Sequence, residues 1–389
     1  MGFIGRQPTA APLTSSDITD GIISTSKLAN DAVDNTKLDL TDNYSFTGTI
    51  TGAGQSLRPN HRPLIINGDM AVSQRGTSST SQTSSGIKTV DRMRIASGGG
   101  MTFTIAQASE SPTGQGFTKS YKVTSTTGDA SMTSSEYNIP LQMRMEGNTL
   151  QAIKKGTSNA EKITFAFWVY ATVTGTYILE LNDDDNNRYN SQSYTVSSTN
   201  TWEKKIVTFP ADTTGAFDND NAKSLTINFW GGAGSDFTSG TLATSWGGAS
   251  DTTRAVGQVN AFASNNNVWQ ITGLQLEVGE FSSTTIPSFQ FETFQENLSR
   301  CQRYFEICEG GKQFYNATSH QPRVNVDFRQ VKRATPTLTN ISTAENCANG
   351  IQYSVGSIDD TLCARVNAVN AFVTGEKFFY GKFSADAEL

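Results

Sequence analysis

The chain has 389 residues, 17% of them charged, and a formal net charge of −6. No basic stripe is present to neutralise phosphates, which argues against nucleic acid as a partner. The longest strongly apolar run, Phe165–Ala171, falls far short of the ~20 residues that span a bilayer, which argues against membrane insertion.

The polar residues are mainly Ser, Thr, Asn and Gln, which suit turns and exposed strand faces and disfavour long helices. The opening MGFIGRQPTAAP has neither the basic start nor the apolar stretch of a secretory signal. Arg6 stands where a myristoylation site takes Ser or Thr. Synthesis in a cytoplasm is the expectation.

Residues 1–40 form a first region. Ile18, Ile22, Ile23, Leu28, Val33 and Leu38 are thinly spread there among Ser, Thr, Asn and Asp. Ordering the backbone costs on the order of 1–2 kcal/mol per residue, more than so sparse a segment can recover by itself. Either surface from outside the segment covers these side chains, or the region is a disordered leader. Residues 41–63 hold one short alternating strand, YSFTGTI, and then a Gly/Pro-bearing connector of linker composition.

Residues 64–291 read as strands separated by turn clusters. Expected strands lie at Lys119–Thr126, Lys162–Thr172, Gly175–Asn182, Trp202–Pro210, Ser224–Gly231 and Val268–Gly279. Several alternate with period two, as half-buried antiparallel strands do. Short strands without helices predict an all-β fold, and more than 200 residues of it suit a jelly-roll β-sandwich with long loops.

Residues 292–389 open with a helical pattern over Gln295–Glu309, its apolar face formed by Leu298, Cys301, Tyr304, Phe305 and Cys308. Strands are then expected at Arg323–Val331, Thr335–Ile341, Cys363–Val373 and Lys377–Ala385, giving a small β-rich domain preceded by a short helix. Cys301, Cys308, Cys347 and Cys363 fit no zinc spacing, and the only histidines are His61 and His320. The cysteines read as reduced small hydrophobes, a late disulfide being the alternative.

Two features could carry chemistry. Trp168, Trp202 and Trp269 sit in strand patterns and are expected in the core. Trp246 lies in a Gly/Ser loop and Trp230 at a strand end before Gly-Gly-Ala-Gly. These two are the candidate stacking platforms for a sugar ring, against the alternative of local loop packing. If Trp246 is such a platform, its loss should lower binding and leave stability nearly unchanged.

The run NDDDNNRYN places Asp183, Asp184 and Asp185 beside asparagines. Such oxygen donors suit a structural calcium, but Asp and Asn also dominate tight turns and the run lacks EF-hand spacing, so the tip of a metal-free hairpin is the favoured reading. No other cofactor is indicated. No GxSxG, HExxH or P-loop occurs, so a non-enzymatic protein is expected. A pair of carboxylates cleaving or deacetylating glycans is the alternative, since their separation is a three-dimensional property.

The segment QPTAAPLTSSDITDGIISTSKLANDAVDNTKL resembles the opening of bacteriophage tail-fibre proteins of the marine and cyanobacterial type. PLIINGDMAVSQRG, VDRMRI and ITGLQLEVG resemble the start and end of a carbohydrate-binding-module-like jelly roll in such fibres. ENLSRCQRYFE, VKRATPTLT and FFYGKFSADAEL resemble their terminal domain. The order of these motifs along one chain is more specific than any of them singly.

The resemblance implies a homotrimeric virion protein docked on a tail or adaptor protein through residues 1–40. Ile18, Ile22, Ile23, Leu28, Val33 and Leu38 would then pack about the threefold axis or on the tail. The distal β domains would recognise a host cell-surface polysaccharide or lipopolysaccharide.

Overall fold

The computed structural model describes residues 63–316, 323–341, 353–355, 361, 363–368 and 375–389. All of these fall within one compact unit, Ser56–Leu389. The six apolar residues expected to attach to the tail, Ile18 to Leu38, lie outside the described residues, as do the YSFTGTI strand, His61, His320 and Cys347.

Two antiparallel sheets form a sandwich. One has six strands in the order β1 (Ser78–Gln82), β4 (Thr102–Ala108), β5 (Ser120–Thr127), β14 (Val268–Val278), β7 (Ile163–Ala171), β10 (Glu203–Phe209). The other runs β13 (Gly247–Gly248), β9 (Arg188–Val196), β8 (Gly175–Asp183), β11 (Lys223–Phe229), β6 (Tyr137–Glu146), β3 (Arg94–Gly98), β2 (Gly86–Ile87), with β12 (Gly232–Ala233) also on β6. The six strands expected between Lys119 and Gly279 are therefore β5, β7, β8, β10, β11 and β14.

Period-two alternation decides what is inside. On β7, Ile163, Phe165, Phe167, Val169 and Ala171 are buried, while Trp168 and Tyr170 are only partly so. Phe167 meets Tyr194 and Phe229 edge-on at 5.1 and 5.0 Å, tying the two sheets together. Trp269 is fully buried, as expected.

Trp168 corrects the expectation of a core position. Phe167 and Val169 on either side of it are buried in the core, so the pleat turns Trp168 outward. Trp202 is likewise half-buried, its ring 5.6 Å from that of Tyr170.

β6 carries Pro140 within a central strand, where a missing N–H is normally excluded. The ladder is interrupted there. β11 pairs only as far as Leu141, β12 resumes at Asn138, and the β3 register shifts between Arg94 and Ala96.

The C-terminal part begins with α1 (Phe294–Gln302), which ends earlier than expected, and β15 (Phe305–Asn316) follows. A Thr293/Glu296 capping box starts the helix. The apolar residues from Tyr304 onward fit either period, and pairing of β15 with β20 (Gly375–Asp386) from Phe305↔Asp386 onward settles it as strand. β20 also pairs with β17 (Thr337–Asn340), and a second three-stranded sheet joins β16 (Arg323–Asp327), β19 (Cys363–Ala368) and β18 (Tyr353–Val355). Cys301 and Cys308 are free and buried; Cys363 is free and half-buried. No helix among the described residues is long and apolar enough to cross a membrane.

The motifs quoted above meet where this part joins the sandwich. Arg303 donates to both Glu146 oxygens at 3.1 and 2.7 Å, and the Tyr304 hydroxyl donates to the same carboxylate. Arg92 pairs with Glu388 and lies 3.6 Å from the Tyr304 ring centre, and Arg75 lies 3.5 Å from that of Phe305. Asn297 Nδ2 donates to Asp69 at 3.0 Å. Gly68 in the same motif admits no side chain, since a Cβ there would come within 2.2 Å of the Leu274 carbonyl oxygen.

Candidate functional site

Trp246 is half-buried against the sandwich core, and its indole N–H donates to the Pro210 carbonyl at 2.8 Å. Beneath it lies Lys155, whose ammonium is 5.2 Å from the ring and forms ion pairs with Asp183 and Asp212. Arg188 closes the group from the other side, donating to Asp212 at 2.8 and 3.0 Å and to the Trp246 carbonyl at 3.3 Å. Burial pushes the Asp212 carboxyl up, and its bonds to Arg188 and Lys155 more than offset this, leaving its pKa below the ordinary value. The tryptophan therefore packs over a buried ion cluster rather than standing free in its loop.

The aspartate run is the hairpin tip between β8 and β9. Asp183 is fully buried and, besides Lys155, accepts the backbone N–H groups of Asp185 and Asn186 at 3.1 and 3.0 Å. Asp184 pairs with Lys223 and accepts the Thr226 hydroxyl at 2.6 Å; Asp185 accepts the Asp218 N–H at 3.0 Å. The three carboxylates are committed to lysines and amides rather than converging on a cation. Among the described residues no group of three or more His, Cys, Asp or Glu side chains could hold a metal.

Trp230 is 1% exposed and offers no ring face to a sugar, contrary to the sequence expectation. Its indole N–H instead donates to Glu180 at 3.3 Å on the outer side of the eight-stranded sheet. Glu180 is fully buried and receives both arms of Arg254 at 2.9 Å each, with Arg254 itself 4.7 Å from the Tyr189 ring centre. Burial disfavours the Arg254 charge, but Glu180 more than compensates and holds its pKa above the ordinary value.

From Glu180 a polar row crosses the sheet. Register aligns Glu180 with Asn228, Asn228 with Gln142, and Gln142 with Arg94. Asn228 Nδ2 donates to Glu180 at 2.8 Å, which turns its Oδ1 toward Gln142 Nε2 at 2.9 Å. Gln142 Oε1 is thereby fixed with nothing to accept. The adjacent row aligns Asn182, Thr226 and Arg144.

Arg94 Nε, Gln142 Oε1, Arg144 Nε and Asn182 Oδ1 are all shielded from bulk water and lack a hydrogen-bond partner. Native structures leave few such groups unpaired, and these four lie on one sheet face. No single motif announced the set, because its members come from three strands and converge only through register.

The outer side of the six-stranded sheet differs. It presents Trp168 and Tyr170, half-buried, with Trp202 against Tyr170. Its buried polar groups are paired: Gln270 Oε1 accepts the Ser120 hydroxyl at 3.0 Å, and the Thr272 hydroxyl donates to the Lys119 carbonyl at 2.7 Å.

No protein-family model matches the sequence, and no curated protein matches it. Among solved structures, the chain is similar to the enzymatically active domain of bacteriophage CBA120 tailspike protein 4. The TM-score is 0.30 and the identity 10%, over 56% of this chain and 21% of that one, so the chain spans about a fifth of that protein. It is also similar to the CBM22-1 xylan-binding domain of Paenibacillus barcinonensis Xyn10C, with TM-score 0.24 and 11% identity, over 48% of this chain and 87% of that one. A third is TmCBM61, solved with β-1,4-galactotriose, with TM-score 0.23 and 9% identity, over 56% of this chain and 99% of that one.

Proposed function

We propose that this chain is a structural virion protein, a trimeric phage tail fibre whose sandwich binds host-surface glycans through the outer face of its eight-stranded sheet. The observation that carries the binding reading is the set of four unpartnered polar atoms on that face. Sugars are dense in hydroxyls that both donate and accept, so they satisfy an orphan amide oxygen and orphan guanidinium N–H groups together. The fibre reading is supported by the order of motifs along the sequence, and it assigns tail attachment to residues 1–40.

Binding without cleavage fits the face. Its buried carboxylate, Glu180, accepts two bonds from Arg254 and one each from Asn228 and Trp230. An acid saturated in this way is poorly placed to exchange a proton with a glycosidic oxygen.

The test has two parts. Sedimentation of the full chain should give roughly 126 kDa, three times the 42.0 kDa protomer; a monomer at micromolar concentration contradicts the fibre. Titration with host-surface polysaccharide should show saturable binding without release of reducing ends, and reducing-sugar release would make the chain an enzyme.

A further inference from the structure

At the β3 edge of the polar face lies a cavity of about 330 Å³, lined among others by Arg75, Arg92, Arg94, Gln142, Arg144 and Glu388. Its arginines are not equivalent. Arg75 pairs with Asp91, Asp386 and Glu388 at 3.5, 3.2 and 3.5 Å, and Arg92 pairs with Glu388. Those two are neutralised. Arg144 gives one bond, from Nη1 to the Leu389 backbone oxygen at 2.6 Å, and its Nε has no acceptor.

Arg94 Nε is likewise without an acceptor, and no ion pair of Arg94 is found among the described residues. Burial and then the Arg94 charge push the Lys88 ammonium below its ordinary pKa, and Arg144 is lowered for the same two reasons. Arg94 and Arg144 thus line one space together with Asp386 and Glu388, and Glu388 is engaged by Arg75 and Arg92.

We infer that this cavity receives the carboxylate of an acidic sugar, Arg94 and Arg144 holding the anion while Gln142 Oε1 accepts a ring hydroxyl. The inference rests on the glycan-binding reading and narrows it to glycans carrying uronate-type residues. A planar guanidinium matches a carboxylate in a two-bond fork. Gln142 has its amide nitrogen committed to Asn228, so its oxygen can only accept. A ligand must therefore present an anion and a hydroxyl side by side, as a sugar acid does. The cavity volume lies at the small end of ligand sites, suited to one monosaccharide unit.

The experiment titrates the full chain with uronate polymers (polygalacturonate and alginate), with their carboxyl-reduced forms, and with inorganic phosphate. Arg94→Gln removes no described hydrogen bond, so its melting temperature should match wild type. It should weaken binding of a uronate polymer about tenfold. Arg94→Lys, which keeps the charge and loses the fork, should fall between the two. Carboxyl reduction should cause a similar loss in wild type and none further in Arg94→Gln, which places the carboxylate and Arg94 in one interaction.

Uronate binding unchanged in Arg94→Gln overturns this site while leaving glycan binding intact. Selective binding of neutral or carboxyl-reduced polymers has the same consequence. Arg94-dependent binding of phosphate as tight as that of the polymer makes the cavity a simple anion site and overturns the sugar assignment. Failure to bind any polysaccharide, host glycan included, overturns the glycan reading itself.

Discussion

The two outer faces of the sandwich obey the same strand period and arrive at opposite chemistry. On the six-stranded side the outward positions hold Trp168 and Tyr170, and the buried polar groups between them are paired inside the protein. On the eight-stranded side the outward positions hold Glu180, Asn228, Gln142, Arg94, Asn182 and Arg144, and the pairing runs out part-way across the sheet. Aromatic rings lose little by partial exposure, since apolar atoms supply much of any protein surface. A shielded amide oxygen or guanidinium N–H without a partner forfeits about 1–3 kcal/mol. The polar face therefore carries an unsatisfied demand that the aromatic face does not.

The sharpest way to break this contrast is to remove the anchor of the polar row. Arg254→Met leaves the Glu180 carboxyl buried without its cation, which should cost about 3–5 kcal/mol in a urea unfolding series. A cost under about 1 kcal/mol would mean that the row is not built on Glu180.

Next in size is a pH effect at the joint beside the polar face. Burial pushes the Asp91 carboxyl up to about 6, against the opposing pull of Arg75 and Gln74. The folded state then holds this proton more tightly than the unfolded chain does between about pH 4 and 6, so the Asp91 contribution to stability falls as pH rises through that window. The loss should be on the order of 3 kcal/mol, and Asp91→Asn should remove it. Stability curves of wild type and variant that run parallel from pH 4 to 7 would refute the assignment.

Trp246→Ala should cost about 2–3 kcal/mol by thermal or urea melting, toward the low end of large-to-small core changes because the ring is half-buried. An unchanged melting temperature would restore the loop tryptophan as a free platform. The smallest effect is expected on the aromatic face: Trp168→Ala should stay within about 1 kcal/mol of wild type. A larger loss would show that this ring is structural after all.

Much of the fold was legible in the sequence. Alternation marked β5, β7, β8, β10, β11 and β14, because each carries inward aromatic or β-branched residues between turn clusters. β6 was not marked, since Pro140 within YNIPLQMRME argues locally against a central strand and only the gap between β11 and β12 admits it. The helix over Gln295–Glu309 was half right: Tyr304, Phe305 and Cys308 suit either period, and the β20 ladder that decides between them begins eighty residues away in sequence.

The site was less legible than the fold. Trp230 and Trp246 were singled out by their loops, yet burial and pairing with Glu180 and Pro210 depend on where those loops return. Asp183 looked like a cation ligand because Lys155, which neutralises it, is 28 residues away in the chain. Arg94, within VDRMRI, and Gln142, outside any quoted motif, drew no notice as site residues, because only strand register brings them together.

The central claim, that the polar face and not the aromatic one contacts glycan, is tested most directly by titrating two double variants of the full chain with the same host-surface polysaccharide. Gln142→Ala/Asn182→Ala strips two of the unpartnered acceptors, and Trp168→Ala/Tyr170→Ala strips the opposite rings. The account predicts a loss of tenfold or more, on the order of 1–2 kcal/mol, in the first and wild-type affinity in the second. Wild-type affinity in the first with a loss in the second would contradict it and move the binding surface to the six-stranded sheet.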